Sequence, residues 1–407
     1  MKGRFMKHRN EKLIIAAILA VSVMQMGANG ISPILADLAE AFPQASDSVI
    51  QFLMTFPGLM VIVFGLIAGV ASQYVPKKWL SVAGSALFAL GGVLAWLFHG
   101  SLAILYVWAA MIGAGIGLAV PVNMGMVTEL LAPEHQATVM GWSSGVAHIG
   151  SMLMTFVGGY LALIHWSYGY LVYLIAVPAV ILSLIAYPNT ISTSEKKEEA
   201  PAEEKKKVGI LTLIKQPALL ATGLTAFCSS LLFNTTPSNL SMQVAELGVG
   251  TSAQAGTGVS LMLLSGAISC MFYGKLSKKI GNYILTLDFV MMGIGQLICA
   301  LAPNIWMIYL GCLIAGCSHG NNMAHCLMLG SKYAMGNSSL SASIVTSLSN
   351  LGAFCAPVLT MLAALISGGS AIAPRFRLSG CLALIVALVI AISCSRQHGK
   401  ANRATQP

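Results

Sequence analysis

Near the middle of the chain stands the sequence EKKEEAPAEEKKK, residues 195–207, which holds ten of the chain's 22 basic and 13 acidic side chains. On either side lie about 190 residues that are apolar and poor in charge. The five Glu and five Lys of this segment cancel, which is typical of a solvated connector and not of a nucleic-acid patch. The sequence therefore predicts two hydrophobic halves, 1–188 and 215–407, joined by a charged cytoplasmic linker at 189–214.

The composition excludes an ordinary soluble domain. Mean hydropathy is +0.80, 57% of residues are hydrophobic and only 9% are charged, against about 25% charged residues in soluble proteins. A spanning helix needs roughly 20 mainly apolar residues. By that measure we expect an all-α membrane protein with twelve transmembrane helices, at 13–40, 48–74, 79–99, 102–128, 137–163, 168–187, 215–241, 256–276, 283–302, 304–330, 340–367 and 373–394.

The basic residues orient these spans. With both termini cytoplasmic, 20 of the 22 Lys and Arg residues fall on the inner side, and only Arg375 and Arg377 fall on outer loops. This bias follows the positive-inside rule and predicts a multi-pass protein of the cytoplasmic membrane. The first apolar run continues to about Ala39 without a good cleavage site, so we expect an uncleaved first span and not a signal peptide.

A shift of about 204 positions superposes the Gly and Pro residues of the two halves. Pro33 falls on Pro237, and Gly69 falls on Gly274. The small-residue pair Gly113/Gly117 falls on Gly316/Gly320. Because small residues four apart let membrane helices approach closely, the shared offset predicts two pseudo-symmetric six-helix bundles.

With twelve expected spans, two six-span halves and a charged central linker, the whole chain resembles the major facilitator superfamily of transporters. Its motif between spans two and three is Gly, three residues, Asp-Arg, one residue, Gly and two basic residues. Here the stretch keeps the first Gly and the basic pair but replaces the acid with an amide, which gives the candidate gating residues Gly69, Gln73, Lys77 and Lys78. The resemblance implies that this loop helps hold the two halves together in one state.

A second resemblance is to the fifth-span signature of drug/proton antiporters. Gly141, Gly150 and the pair Gly158-Gly159 have the spacing of that signature, while Met154-Thr155 replaces its central Gly-Pro. This resemblance implies an efflux-type relative.

In the family that the chain resembles, spans one, four, seven and ten line the transport cavity. Polar residues at bilayer depth are costly unless they face a cavity or a partner, so those in the four spans are candidate substrate ligands: Gln25, Asn29, Asn123, Asn234, His319, Asn322 and His325. The alternative is that each amide only cross-links helices.

Proton coupling requires a group that titrates when the site changes from wet to dry. His148 lies in a polar stripe with Ser144, Ser151 and Thr155 on span five. His148, His319 and Asp288 are therefore the candidate coupling residues. Asp288 lies about one turn into span nine, so a role at the helix end is the alternative.

Other chemistry is not encoded. The chain has no P-loop, no metal-ligand spacing among its histidines and cysteines, and no Ser with a recognisable base partner. We therefore expect no enzyme activity, no metal and no cofactor. The prediction is a monomeric secondary transporter of a small organic solute that works by alternating access, with protons and membrane lipids as its other partners.

Export coupled to protons is the preferred hypothesis. An uptake symporter or facilitator for a sugar-like or organic-acid solute, and a receptor-like or membrane-enzyme protein on a transporter scaffold, are the alternatives. The sequence leaves the solute open. Because no span centre carries a clear acid, a neutral, zwitterionic or anionic solute is expected.

Overall fold

The computed structural model describes residues 2–72, 74–189, 216–333, 338–369 and 371–404, and the described residues form helices and no strand. Within these described ranges, twelve helical segments follow one another: α1 (Lys2–Ser22, extended through Val23–Ile34 and Leu35–Ala41), α2 (Asp47–Ala71), α3 (Lys77–Leu97), α4 (Leu102–Leu130), α5 (Pro133–Leu161), α6 (Trp166–Ala176 and Val177–Ala186), α7 (Pro217–Glu246), α8 (Ser252–Ile280), α9 (Tyr283–Leu301), α10 (Ile305–Lys332), α11 (Ser338–Ser367) and α12 (Ala373–Ala404). The predicted linker, apart from its first residue, and Gln73 lie outside the described residues.

Ten of these segments are long and apolar enough to cross a membrane, counted over the described residues. The other two are α5 and α10, of 29 and 28 residues. Both are long enough to span a bilayer at 1.5 Å per residue, but they carry the polar residues singled out above, which lower their hydropathy. The structure thus supports a multi-helix membrane protein, and the number of twelve spans stays a prediction.

The first helix changes geometry halfway along its length. Val23–Ile34 is a 3₁₀ helix that contains Pro33, and Met26 has the non-helical dihedrals φ −109° and ψ 24°. Proline removes a backbone donor and cannot continue a regular helix. The α1 segment therefore departs from regular α-helix in the stretch that contains Gln25 and Asn29.

The chain divides into two compact units. Unit 1 contains Met1–Glu203 together with Thr251–Ser260, and unit 2 contains Glu204–Gly250 and Leu261–Pro407. The beginning of α8 groups with unit 1, and the division into two six-helix halves at the linker stays a prediction. Within unit 1 an apolar cluster includes Ile18, Val127 and Tyr187, and within unit 2 another includes Leu219, Ile284 and Val345.

The glycines at the shared offset have equivalent packing roles. A Cβ added at Gly117 of α4 would lie 2.9 Å from the Val61 carbonyl oxygen of α2, and one at Gly320 of α10 would lie 3.0 Å from the Gly266 oxygen of α8. Neither position can accept a side chain without movement of a backbone. Each unit therefore uses a glycine-lined helix contact of the kind that the duplicated sequence predicts.

Candidate functional site

In unit 1, the two candidate substrate ligands of α1 do not share a face. Asn29 is buried, whereas Gln25 is exposed. They are four residues apart, which would align them in an α-helix. The 3₁₀ segment has three residues per turn, so positions i and i+4 point about 120° apart. The structure thus separates this predicted pair.

Asn123 of α4 is fully buried and bonded at both ends of its amide. Its Nδ2 donates to the Ile18 carbonyl oxygen of α1 at 3.0 Å, and its Oδ1 accepts from the Tyr187 hydroxyl at 2.5 Å. These bonds tie α4 to α1 and to the residue that follows α6. The geometry favours the helix-linking alternative for this residue.

The polar stripe of α5 is mostly buried in unit 1. His148 Nδ1 lies 2.9 Å from the Ser144 carbonyl oxygen, and the Ser151 hydroxyl donates to the Met26 oxygen of α1 at 3.1 Å. Thr155 Oγ1 lies 2.8 Å from Ser260 Oγ in the part of α8 that belongs to unit 1. His148 is 9% exposed and Thr155 is fully buried. His148, Ser151 and Thr155 of the stripe therefore face protein, whereas Ser144 is exposed.

An acidic cavity lies at one end of unit 1. It has a volume of about 380 Å³ and is lined by Asp37, Glu40, Ala41, Ala162 and Trp166. The Ser252 hydroxyl donates to Asp37 Oδ2 at 2.6 Å, so the first residue of α8 contacts this acid.

The candidate gating loop joins α2 to α3. Lys77 forms an ion pair with Glu129 of α4, and the Lys78 ammonium lies 5.9 Å from the centre of the Trp79 ring. A Cβ added at Gly69 would have no neighbour within 4 Å. Gln73 lies outside the described residues. Both lysines of the basic pair thus contact side chains of unit 1.

In unit 2, the candidate ligands of α10 contact different neighbouring residues. The His319 ring stacks on Phe233 of α7, with ring centres 4.0 Å apart and planes 17° from parallel. On α7, Asn234 Nδ2 donates to the Ser230 oxygen of its own helix at 2.9 Å, and the residue is only partly buried. These two side chains have aromatic or intrahelical contacts and keep partial exposure, as substrate ligands require.

The next two predicted ligands of α10 are fully buried. Asn322 Oδ1 accepts from the Cys326 thiol at 3.5 Å, while its Nδ2 has no hydrogen-bond partner among the described residues. His325 Nδ1 lies 3.1 Å from the Tyr273 hydroxyl, and Nε2 lies 3.1 Å from Asn282 Oδ1. Both histidine nitrogens are therefore occupied by side chains of unit 2.

Asp288 is only 1% exposed, although it lies just over one turn from the start of α9. It hydrogen-bonds with Asn321, whose Nδ2 also donates to Ser269 Oγ at 2.6 Å. Asp288 Oδ2 and Asn321 Oδ1 have no hydrogen-bond partner among the described residues. Both buried oxygens can only accept hydrogen bonds. A proton on the Asp288 carboxyl would supply the donor that this position lacks.

A second polar network of unit 2 was not predicted. Arg375, assigned to an outer loop, lies in the first turn of α12 and is 2% exposed. Its Nη1 donates to Asn239 Oδ1 of α7 at 3.3 Å, and Asn239 Nδ2 donates to the Thr360 hydroxyl at 3.1 Å. Gln296 of α9 also joins these helices, since its Nε2 donates to the Leu232 oxygen of α7 at 2.6 Å and its Oε1 accepts from the Ser379 hydroxyl of α12. The amides inside apolar spans could have indicated this network from the sequence. Nothing in the sequence indicated that Arg375 would be buried against them.

The sequence matches the Major Facilitator Superfamily over residues 17–357, which is most of the 407 residues. The chain belongs to this family. A curated relative is the inner membrane transport protein YajR of Escherichia coli (strain K12), 21% identical over 266 residues that cover 63% of this chain and 56% of YajR. The match thus spans little more than half the length of that relative.

Solved structures show the same fold at low sequence identity. The inward-facing, unoccupied bacterial homologue of the human lysosomal transporter Spinster has a TM-score of 0.73 and 12% identity, covering 95% of this chain and 97% of that one. A variant of the nucleoside transporter NupG has a TM-score of 0.73 and 10% identity, covering 93% and 99%. A POT family transporter in complex with a thioalcohol-conjugated peptide has a TM-score of 0.72 and 11% identity, covering 95% and 96%. The chain therefore shares the overall fold of these solved structures.

Proposed function

We propose that this protein exports a small organic solute across the cytoplasmic membrane by alternating access, in exchange for protons. The observation that carries the coupling is the burial of Asp288, which is 1% exposed and forms no ion pair among the described residues. An ionised carboxylate buried within a spanning helix is costly unless it pairs with another group or faces water. A carboxyl group in such surroundings exchanges a proton when the site becomes wet.

The solute would bind where polar side chains of the candidate set keep some exposure. In unit 2 these are His319, which presents its ring beside Phe233, and Asn234 on the same helix as Phe233. An imidazole stacked on an aromatic ring suits a flat or partly apolar solute with a hydrogen-bonding edge. One of the fold relatives named above is a nucleoside transporter and another is in complex with a peptide conjugate, so the fold itself leaves the solute class open.

Export is supported by the resemblance of α5 to the antiporter signature. Gly150 and Gly159 of that signature are both close-packed, since a Cβ at Gly150 would lie 3.0 Å from the Val23 oxygen and one at Gly159 would lie 3.1 Å from Ala253 Cα. These glycines let α5 approach α1 and the beginning of α8 within unit 1.

Reconstituted vesicles test this function. The protein would be inserted in proteoliposomes that contain a pH-sensitive dye, and a panel of nucleosides, short peptides, organic acids and organic amines would be added under an imposed pH gradient. We expect at least one solute to cause proton movement in the opposite direction. Solute flux that is indifferent to the gradient would contradict coupling and support a facilitator, and proton movement in the same direction would support a symporter. Binding without flux would support a receptor.

Variants assign the roles. Asp288→Asn is expected to abolish solute-driven proton movement, while Asp47→Asn, the same chemical change at the start of α2, leaves it intact. His319→Ala and His148→Ala are expected to weaken transport without loss of membrane insertion. If both histidine variants transport at the wild-type rate with the wild-type pH dependence, the assignment of those two residues is wrong.

A further inference from the structure

A second cavity of unit 1 lies where α1 and α5 come together. It has a volume of about 390 Å³, and its lining includes the titratable side chains Glu11, Lys12 and His135 and the apolar side chains Ile15, Val139 and Trp142. On both helices the titratable residues come first and an apolar residue follows about one turn later. Because Glu11 of α1 contacts His135 of α5, the two helices lie side by side here. The cavity therefore has a charged end and an apolar end.

The predicted spans place this cavity at a membrane interface. They begin at residues 13 and 137, so the charged end lies just outside the hydrocarbon and the apolar end just within it. Trp142 is exposed, and tryptophan is enriched at this depth. The positive-inside rule predicts that this is the cytoplasmic side. The expected surroundings of the cavity are therefore the lipids of the inner leaflet.

An exposed apolar face of α5 continues from the cavity. Trp142, Ile149 and Leu153 are 54%, 46% and 43% exposed, and their spacings of seven and four residues place them on one face of the helix. Val139, by contrast, is buried in the apolar cluster of unit 1. An acyl chain that lies along the exposed face would bring its headgroup to the charged end of the cavity.

The charged end offers a cation and a carboxylate together. Lys12 is exposed and has no ion pair among the described residues. The Glu11 side chain is 20% exposed, and its Oε1 lies 2.7 Å from His135 Nδ1. This contact holds the carboxylate beside the cavity, and a carboxylate can accept several hydrogen bonds. A ligand that complements this end carries both an anionic and a cationic group.

We propose that this cavity binds a phospholipid whose headgroup carries a primary amine, with the phosphate at Lys12 and the ammonium at Glu11. The Lys12 ammonium donates to the phosphate oxygens, and the lipid ammonium donates to the Glu11 carboxylate, both as charge-assisted hydrogen bonds. His135 positions the carboxylate, and the acyl chain packs along Trp142 and the exposed face of α5. This site does not depend on the direction of transport or on coupling at Asp288.

The Glu11 carboxylate distinguishes this headgroup from other phosphate ligands. An anionic headgroup would satisfy Lys12 but would be repelled by Glu11. A choline headgroup has no net charge either, but its nitrogen carries methyl groups and donates no hydrogen bond. A soluble phosphate compound would leave the apolar end of the cavity uncovered.

Tryptophan fluorescence tests the site directly. The full-length chain is reconstituted in phosphatidylcholine vesicles with increasing fractions of a lipid that is brominated in its acyl chain and has an ethanolamine, choline or glycerol headgroup. Bromine quenches an indole that it contacts, and the Trp142 part of the signal is the difference from Trp142→Phe. We expect half of the quenching at an about threefold lower fraction of the ethanolamine lipid than of the other two, which is the selectivity of one exposed ion pair.

Variants assign the two headgroup contacts. Glu11→Gln should abolish the preference for ethanolamine over choline, whereas Glu134→Gln, the same change at an exposed acid outside the cavity lining, should keep it. Lys12→Gln should raise the fraction that is needed of all three lipids. His135→Ala removes the partner of Glu11 but leaves its charge, so the preference should remain.

Three outcomes would overturn the proposal. Equal quenching by the three lipids in the wild-type protein would show only an unselective acyl contact at Trp142. Stronger quenching by the glycerol lipid would show a site for anionic lipids. Equal loss of the preference in Glu11→Gln and His135→Ala would assign it to the packing of α1 on α5 and not to the carboxylate.

Discussion

The hydroxyl oxygens of Thr155 in α5 and Ser260 in α8 lie 2.8 Å apart inside unit 1. The Ser260 hydroxyl also donates to the Met152 carbonyl oxygen at 3.0 Å. The contact depends on two glycines, because a Cβ at Gly256 would lie 3.3 Å from Gly159 Cα and would collide with the Thr155 oxygen. The beginning of α8 is thus held to α5 by backbone proximity and by hydroxyl hydrogen bonds together.

Enlarging one of these glycines should detach the beginning of α8 from α5. Gly256→Leu is expected to expose position 260, because the leucine cannot fit against the α5 backbone. The measurement is the labelling rate of a Ser260→Cys variant by a water-soluble maleimide, after replacement of the native cysteines. Gly141→Leu is the matched control, since a Cβ there has no neighbour within 4 Å. Equal labelling in the two leucine variants would contradict the packing role.

Asn123 gives a prediction about stability. Asn123→Ala leaves the Tyr187 hydroxyl without its acceptor and the Ile18 oxygen without its donor. Interhelical hydrogen bonds in membrane proteins contribute about 0.6 kcal/mol on average and up to about 1.7, so losing two should lower the unfolding free energy by about 1–3 kcal/mol. Thermal unfolding in detergent measures this change, and Tyr187→Phe should account for about half of it.

The same variant distinguishes the two readings of the residue. If Asn123 only links helices, transport per folded molecule stays at the wild-type level in Asn123→Ala. A protein that folds with wild-type stability but transports poorly would restore Asn123 as a substrate ligand.

How far the sequence predicts the site depends on the neighbours of each helix. Apolar length alone indicates where the helices lie, and the structure agrees for ten of the segments described. On α10 the candidate ligands His319, Asn322 and His325 are spaced three residues apart. Steps of three residues rotate by about 60° backward around an α-helix, so the first and last of these residues point about 120° apart. His319 therefore meets Phe233 of α7, and His325 meets Tyr273 of α8.

Local helix geometry explains the other difference. Gln25 and Asn29 separate because the chain adopts a 3₁₀ helix at Val23–Ile34. No local pattern in the sequence distinguishes that geometry from an α-helix interrupted by proline. Asp288 and Arg375 are buried by helices that are distant in the sequence, and a single sequence does not show which helices these are.

His135 predicts how stability depends on pH at the beginning of α5, just before the predicted span. Its Nδ1 lies 2.7 Å from Glu11 Oε1, and this hydrogen bond raises the pKa of His135 from its ordinary value, with the charges of Glu11 and Glu134 adding and partial desolvation opposing. Because the folded-state pKa is the higher one, the contribution is complete below about pH 6.5 and disappears as the pH rises through the folded value.

The measurement is the histidine titration by NMR, with thermal unfolding recorded on both sides of it. Glu11→Gln should return the His135 pKa toward its ordinary value and remove the pH-dependent part of the stability. Glu134→Gln, which removes a charge that forms no hydrogen bond with the ring, should have a smaller effect. The His135 side chain is 48% exposed, so the stability change itself should be small. An unchanged titration in Glu11→Gln would contradict the pairing.

Arg375 and Arg377 of α12 provide a matched pair for the last prediction. Arg375 is 2% exposed and donates to Asn239 Oδ1 at 3.3 Å, whereas Arg377, two residues later, is exposed. Arg375→Gln should lower the unfolding free energy by about 1–3 kcal/mol, because hydrogen bonds to a charged group are lost in a buried place. Arg377→Gln should change it by less than about 0.5 kcal/mol, as for other surface substitutions. If the two variants melt alike, α12 is not anchored to α7 by its arginine, and the burial of that side chain has another cause.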